Sequence, residues 1–155
     1  MDGRTASSGL RISLHRNALR EILRALTHGN IVGFVLDQHA RTDAVWVPFF
    51  GRPAATLRSL AVIAQRTGAP VVPMFTWRLP DGTHVVEAQP AVETETVGDS
   101  DASALHNTAR YSAVVEAAVR AHPEQWTWIH RRWKQPPAAA PMESGESPAP
   151  SGEQP

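Results

Sequence analysis

The 155-residue chain has no cysteine, so disulfides and thiolate metal sites are closed to it, and it carries no redox argument for either compartment. It also has no stretch approaching the roughly 20 consecutive apolar residues of a membrane-spanning helix. The first residues, with Asp2 and Arg4 in a polar run, lack the apolar centre of a signal peptide. Net charge is absent as well, because 15 Lys and Arg balance 15 Asp and Glu. Glu143, Glu146 and Glu153 stand in a C-terminal stretch with no base, so residues 1–134 hold all 15 basic side chains against 12 acidic ones. That mild excess is too small for a general nucleic-acid binder, and nucleic acid is not expected among the partners. An apolar content of 42% does suffice for one modest core.

Periodicity orders what is present. Asn17 is expected to cap a helix running to about His28, with Leu19, Ile22, Leu23 and Leu26 on one face and Gly29 as its stop. Residues 31–36 form a continuous apolar run of the kind buried on both faces of a covered sheet. Asp37 follows the carboxyl end of that run, where open α/β sheets gather ligands. Pro53 or Thr56 is expected to open a second helix that ends at Gly68, which sets a βαβ pattern. Residues 71–77 read as a second central strand, Pro80-Asp81-Gly82 as a turn and residues 84–88 as the returning arm of a hairpin. A long helix is expected from Asp101 or Ser103 to an interruption at His122-Pro123. The expected fold class is α/β, a mixed and mainly parallel sheet flanked by helices, in one domain over residues 1–134. From Gln135 to the end, Pro, Ala, Ser, Gly and Glu without an aromatic predict a disordered tail over residues 135–155.

The densest signal lies near residue 130. His130-Arg131-Arg132-Trp133-Lys134 closes a run that begins Pro123-Glu124-Gln125-Trp126-Thr127-Trp128. A core has little use for adjacent basic side chains framed by tryptophans, so the run reads as a surface for anions: guanidinium forks match phosphate or carboxylate, and indoles suit a boundary wet on one side. The plainer reading is a solvated basic face. Tryptophan at 126, 128 and 133 favours instead a membrane-interface belt whose cations attract anionic lipid or the phosphates of a glycolipid head.

Read in order, Arg4 and Gly9, Asp37-Gln38, Phe49-Phe50-Gly51, Gly68-Ala69-Pro70-Val71-Val72-Pro73, Pro123-Glu124-Gln125 and His130-Arg131-Arg132-Trp133 form a specific set. The chain from about Arg4 to Lys134 thereby resembles the bacterial lipid A biosynthesis acyltransferases, of the lauroyl and myristoyl transferase type, within the lysophospholipid acyltransferase superfamily. The resemblance implies transfer of a fatty acyl chain from acyl carrier protein or acyl-CoA to a hydroxyl of a glycolipid such as a lipid A precursor. It places that work at the cytoplasmic face of the bacterial inner membrane, with no cofactor and no metal. It implies substrate-binding roles for Arg4, Asp37, Gln38, Phe50, Gly51, Arg52, His130, Arg131 and Arg132. Asp37 and Arg4 would line the cleft beside Gln38, Phe50-Gly51 would face the acyl chain, and Arg52 would meet a phosphate.

The superfamily's catalytic signature is a His followed, after four residues, by Asp or Glu. Five positions after His15, His28, His39, His84, His106, His122 and His130 stand Arg20, Gly33, Ala44, Gln89, Tyr111, Thr127 and Gln135, so no histidine meets it and no catalytic residue is assigned. The resemblance puts that dyad, and a membrane anchor, upstream of the Arg4 region. The chain is therefore expected to be the C-terminal portion of such an enzyme, with the N-terminal part of the fold missing, and inactive alone. Apolar faces left uncovered by that loss are expected to promote association.

Plainer readings stand beside these roles. His39 and Asp43, four positions apart, are too few for a zinc site and wrongly spaced for the dyad. Asp37 as a turn cap stands level with Asp37 in a site until the resemblance is weighed. Phe49 reads first as core packing, and the 70–73 segment as sheet architecture. The rival to an acyltransferase is a non-catalytic remnant that binds anionic lipid or a protein partner through its Trp and Arg surface. Single-stranded nucleic acid stacked on the tryptophans would need a longer basic groove than one short cluster provides.

Overall fold

The computed structural model describes residues 18–134. Arg4, Gly9, the Asn17 cap and the 135–155 tail lie outside the described residues. Helix α1 spans Ala18–Thr27, with Ile22, Leu23 and Leu26 half-buried, Arg20 and Arg24 exposed, and Gly29 at φ 74° just beyond its end. Strands β1 (Ala44–Phe49) and β2 (Arg52–Leu57) lead into helix α2 (Ser59–Thr67). Strands β3 (Met74–Arg78) and β4 (His84–Ala88) precede the 22-residue helix α3 (Ser100–Ala121) and a short 3₁₀ turn at Pro123–Gln125.

The sheet is not mainly parallel. Among the described residues, β1 pairs with β2 and β3 with β4, both antiparallel, as two separate hairpins. The cause lies at Phe50-Gly51, which both take positive φ, 52° and 70°, and close a two-residue turn between Phe49 and Arg52. Positive φ at both central residues turns the chain straight back, whereas a parallel pair needs a crossover of a dozen or more residues. The helix expected from Pro53 or Thr56 is therefore a strand as far as Leu57, and α2 begins only at Ser59. Gly68 ends that helix as expected, in the left-handed conformation at φ 66°. Pro48 faces Pro53 in the β1–β2 register. Hydrogen-bonded and non-hydrogen-bonded pairs alternate from the Phe49–Arg52 pair at the turn, so the two prolines occupy a position where no inter-strand N–H is required.

Residues 31–36 depart further from expectation. They pair with no strand among the described residues, and Ile31 and Val35 are 95% and 66% exposed. Val32, Phe34 and Leu36 are half-buried, and Leu36 packs against the Ala61–Ala104–Tyr111 cluster. An apolar run signals the wish to be covered; it does not supply the cover. The second hairpin is closer to its reading. Asp81 accepts hydrogen bonds from the Thr83 N–H and hydroxyl within the turn, and β3 begins at Met74, with Val71 joined instead to Val92 by an isolated bridge.

Helix α3 starts slightly earlier than expected because Asp99, not Asp101 or Ser103, is its cap, accepting from the N–H groups of Asp101 and Ala102. Its inner face is unusually polar. Ser103, Asn107, Thr108 and Ser112 are buried there, and Asn107 binds both the N–H and the C=O of Glu95. The same helix clamps the β1–β2 turn from outside. Glu116 accepts the Phe50 N–H at 2.6 Å, Arg120 pairs with Glu116 at 2.6 Å, and the Arg120 guanidinium lies 4.5 Å from the Phe50 ring centre. The clamp holds a bulky residue in a backbone conformation that bulky residues seldom adopt.

The chain then folds back so that Trp126 and Trp133 pack on Phe49, with ring centres 5.7 and 5.8 Å away. Between them Arg132 is 0% exposed and is the largest fully buried side chain among the described residues. Its Nη1 donates to the Ala55 carbonyl at 2.5 Å, its Nη2 to the Thr56 hydroxyl at 2.6 Å, and its guanidinium lies 5.1 Å from the Phe49 ring centre.

Two stability measurements follow from these contacts. Arg132→Ala should lower unfolding free energy by about 3 kcal/mol in urea, as when one partner of a buried charge network is removed. Arg132→Lys should lose less but still be destabilised, because one ammonium cannot fork to both Ala55 and Thr56; unchanged urea midpoints for both would deny the weld. Glu116→Gln should lose about 1 kcal/mol. The Phe50 N–H, and then Arg120, hold the Glu116 carboxyl below the ordinary glutamate value. A carboxyl whose folded pKa is depressed stabilises above its unfolded pKa and loses that contribution as pH falls through the folded value. The wild-type advantage over Glu116→Gln should therefore shrink below about pH 4.3, the unperturbed glutamate pKa.

Candidate functional site

The outer edge of β2 is where three distant parts of the sequence meet. The Ala55 carbonyl accepts the Ala40 N–H at 3.1 Å as well as the Arg132 guanidinium, so the loop after residue 36 and the C-terminal segment are fastened to one atom. A further bond joins them directly, from the His39 N–H to His130 Nε2 at 3.2 Å. Accepting that bond requires His130 Nε2 to be unprotonated.

Asp37, His39, His130 and Arg132 are thereby gathered. Asp37 acts on Arg132 electrostatically: burial pushes the guanidinium pKa down, and the Asp37 charge opposes it. His39 is held below the ordinary histidine value first by its own burial and then by the charge of Lys134, with the Arg132 backbone acting in the opposite sense. The imidazole therefore stays neutral at neutral pH, its ring centre 6.3 Å from that of Trp46. Three polar atoms of this group, Asp37 Oδ1, His39 Nδ1 and Arg132 Nε, are buried without a hydrogen-bond partner among the described residues. Buried polar atoms are nearly always satisfied, so three orphans in one group mark a place where another polar group belongs.

The other candidates divide in two. Gln38 is exposed beside Asp37. Phe50 and Gly51 form the hairpin turn, at the opposite end of β1–β2 from the Asp37 loop; Phe50 is half-buried against Trp128 and Trp133. Arg52 is exposed and its guanidinium lies 5.5 Å from the Trp133 ring centre. Arg131 and Lys134 are exposed. These cations rim an open depression of about 480 Å³ lined by Arg52, Trp128, Ile129, His130, Arg131, Arg132, Trp133 and Lys134. Arg4 lies outside the described residues, so its place beside Asp37 is not seen.

Two premises of the sequence reading are corrected. The basic run is not a uniform surface, since Arg132 is interior, its terminal nitrogens spent on the protein's own oxygens. The tryptophans do not form a belt either. Trp126 and Trp133 are half-buried around Phe49, and the Trp133 and Trp128 N–H groups donate to the carbonyls of Phe49 and Pro123. Trp133, its N–H satisfied by the Phe49 carbonyl, gains more by packing on phenylalanine than by facing water, and of these three tryptophans Trp128 alone is exposed. Sequence reasoning passed over His39 and Glu116. His39 looked idle because its only visible partner was Asp43, which instead faces Arg58 at 3.8 Å; no local spacing encodes contacts to His130 or from Glu116 to Phe50.

The profile described as bacterial lipid A biosynthesis acyltransferase matches residues 1–135. The chain is similar to a lipid A biosynthesis lauroyltransferase of Escherichia coli, at 31% identity over 131 residues that make up 83% of this chain and 42% of the relative. It is also similar to a lipid A biosynthesis palmitoleoyltransferase of the same organism, at 31% identity over 79% of this chain and 39% of the relative. A lipid A biosynthesis acyltransferase of Haemophilus influenzae is 27% identical over 78% of this chain and 37% of its own length. The chain thus spans about two fifths of the curated relatives it matches. With the profile match running through both the Asp37 loop and the His130–Arg132 segment, the chain belongs to the bacterial lipid A biosynthesis acyltransferase family.

Proposed function

We propose that the chain is the C-terminal part of a membrane-associated acyltransferase that moves a fatty acyl group from acyl carrier protein or acyl-CoA to a hydroxyl of a glycolipid such as a lipid A precursor. In that reaction the hydroxyl oxygen attacks the thioester carbonyl, the carbon–sulfur bond breaks, and the hydroxyl proton ends on the departing thiol. The base that carries the proton and the acid that orients it belong to the His-x4-Asp/Glu signature, which no histidine of this chain satisfies. The chain's own share is the binding and holding of substrate.

The observation that supports this reading is the Asp37–His39–Arg132 group, with three buried polar atoms awaiting partners in a chain whose family profile runs through it. Under the reading, Asp37 and Gln38 offer acceptors and an amide to a polar head, and a neutral His39 can donate or accept there. Arg132 sets the position of the segment that carries them, leaving Arg52, Arg131 and Lys134 as the free cations for phosphate. Phe50 and Gly51 shape the wall between the two ends. No described helix is long and apolar enough to cross a membrane. Contact with the cytoplasmic face of the inner membrane would then be peripheral for this part.

Acylation assays separate the parts. Alone, with acyl–acyl carrier protein and a lipid A precursor, the chain is expected to give no product. Joined to the portion of the Escherichia coli lauroyltransferase that it does not cover, it is expected to give product, with Asp37→Ala lowering kcat/KM at least about tenfold, as for a lost hydrogen bond to a charged group. Arg131→Ala should raise KM for the phosphorylated acceptor more than it lowers kcat. Product from the chain alone would defeat the proposed division, and a chimera indifferent to Asp37 would remove that residue from the site. A chain that binds anionic lipid yet yields no active chimera would favour the non-catalytic remnant.

A further inference from the structure

The segment between the half-buried Trp126 and the buried Arg132 closes a β-turn in which the His130 N–H donates to the Thr127 carbonyl at 3.0 Å. The central residues of that turn are Trp128 and Ile129, 52% and 92% exposed. Such corners are ordinarily occupied by Gly, Pro, Asn, Asp or Ser, which suit the backbone and the water around it. Trp128 packs one face on Trp126 and Phe50, but its exposed half and nearly all of Ile129 gain nothing from the fold that holds them there. Nor is the corner loose. The Trp128 indole N–H donates to the Pro123 carbonyl at 2.6 Å, its ring lies edge-on to Trp126 with centres 4.6 Å apart, and Arg132 fixes the exit of the turn in the core.

What surrounds the corner selects its occupant. Arg52, Arg131 and Lys134 are exposed and border the same depression as Trp128 and Ile129, and no acidic residue lines it. Among the other exposed apolar side chains of the described residues, Ile31 and Val35 lie in a run without a charged side chain, which suits protein packing. An indole and an aliphatic chain at a rigid tip, ringed by cations, match the layered chemistry of an anionic bilayer: acyl chains inside, phosphates outside. We propose that the turn at residues 127–130 is a membrane-docking finger that seats Ile129 and Trp128 in the interfacial layer of an anionic bilayer, with Arg52, Arg131 and Lys134 engaging lipid phosphates. This goes beyond the acyl-transfer reading and does not depend on it, so an inactive chimera would leave it standing.

Absence of cysteine makes a clean test possible. Ile129→Cys, carrying an environment-sensitive nitrobenzoxadiazole label, is compared in the 155-residue chain with Ser100→Cys, at the N-terminal end of α3 and on the order of 30 Å along that helix from its other end at Ala121. Vesicles of phosphatidylcholine alone and of equal parts phosphatidylcholine and phosphatidylglycerol are titrated against each. The label at 129 is expected to brighten and shift to the blue on the anionic vesicles, with little response on phosphatidylcholine and none at 100. Arg131→Glu, which exchanges an attraction for a repulsion at an exposed site, should weaken the partitioning more than tenfold, taking about fivefold for each charge. In unlabelled protein, Ile129→Asp should abolish co-sedimentation while leaving the circular dichroism spectrum unchanged, since the side chain packs on little. Vesicle binding with no change at 129, no binding at all, or an equal response at 129 to inorganic phosphate would each overturn the proposal.

Discussion

The fold hangs on a guanidinium in the interior. Arg132 sits against Phe49 with its two terminal nitrogens on Ala55 and Thr56, and through those bonds the last described segment is fixed to the hairpin's edge. A cation without water is tolerable only where acceptors and a counter-charge surround it, and here two oxygens, an aromatic face and the Asp37 carboxylate share that task. The same arrangement decides which neighbours are free. Because Arg132 turns inward, Arg131 and Lys134 are left exposed, and His130 meets the His39 backbone. One buried contact thus sorts a run of adjacent basic residues into an anchor and a rim.

The β1–β2 hairpin is the rigid member between the two halves of the candidate site. Its open end carries the Asp37–His39 loop at Ala55, and its turn carries Phe50, Gly51 and Arg52. At about 3.4 Å per strand residue, the four residues from Gly51 to Ala55 separate the ends by roughly 14 Å. A molecule touching both would have to be extended, with a polar part near the unsatisfied carboxylate and the rest running past the aromatic wall.

Local chemistry was legible in the sequence, and long-range chemistry was not. Gly29, Gly68, the Pro80-Asp81-Gly82 turn and the break at His122-Pro123 were read from residue type, because each acts on its own backbone within a few positions. The β1–β2 hairpin was missed because its turn residue is Phe50, a side chain that gives no sign of positive φ; the conformation is imposed by Glu116 and Arg120, 66 and 70 positions further on. The apolar run at 31–36 was read as a strand buried on both faces, but among the described residues it pairs with no strand and packs only in part, because a short apolar run cannot by itself tell a paired strand from a segment that rests one side on a neighbouring cluster. Asp37 and the basic cluster were picked out by order and chemistry. That Arg132 is the buried one of two adjacent arginines is set by the positions of Ala55 and Thr56, which no spacing near residue 132 records.

The facing prolines have a consequence for how the molecule avoids its own kind. In a two-stranded sheet both strands are edges, and residues at non-hydrogen-bonded positions direct their N–H and C=O groups outward, where another chain's strand could attach. Pro48 and Pro53 remove one outward donor from each edge near the turn, and on the β2 side the next outward carbonyl, Ala55, is already occupied by Ala40 and Arg132. The hairpin thus offers an incoming strand a broken template on either side. Edge-to-edge polymerisation is discouraged at the very element on which the rest of the fold is hung.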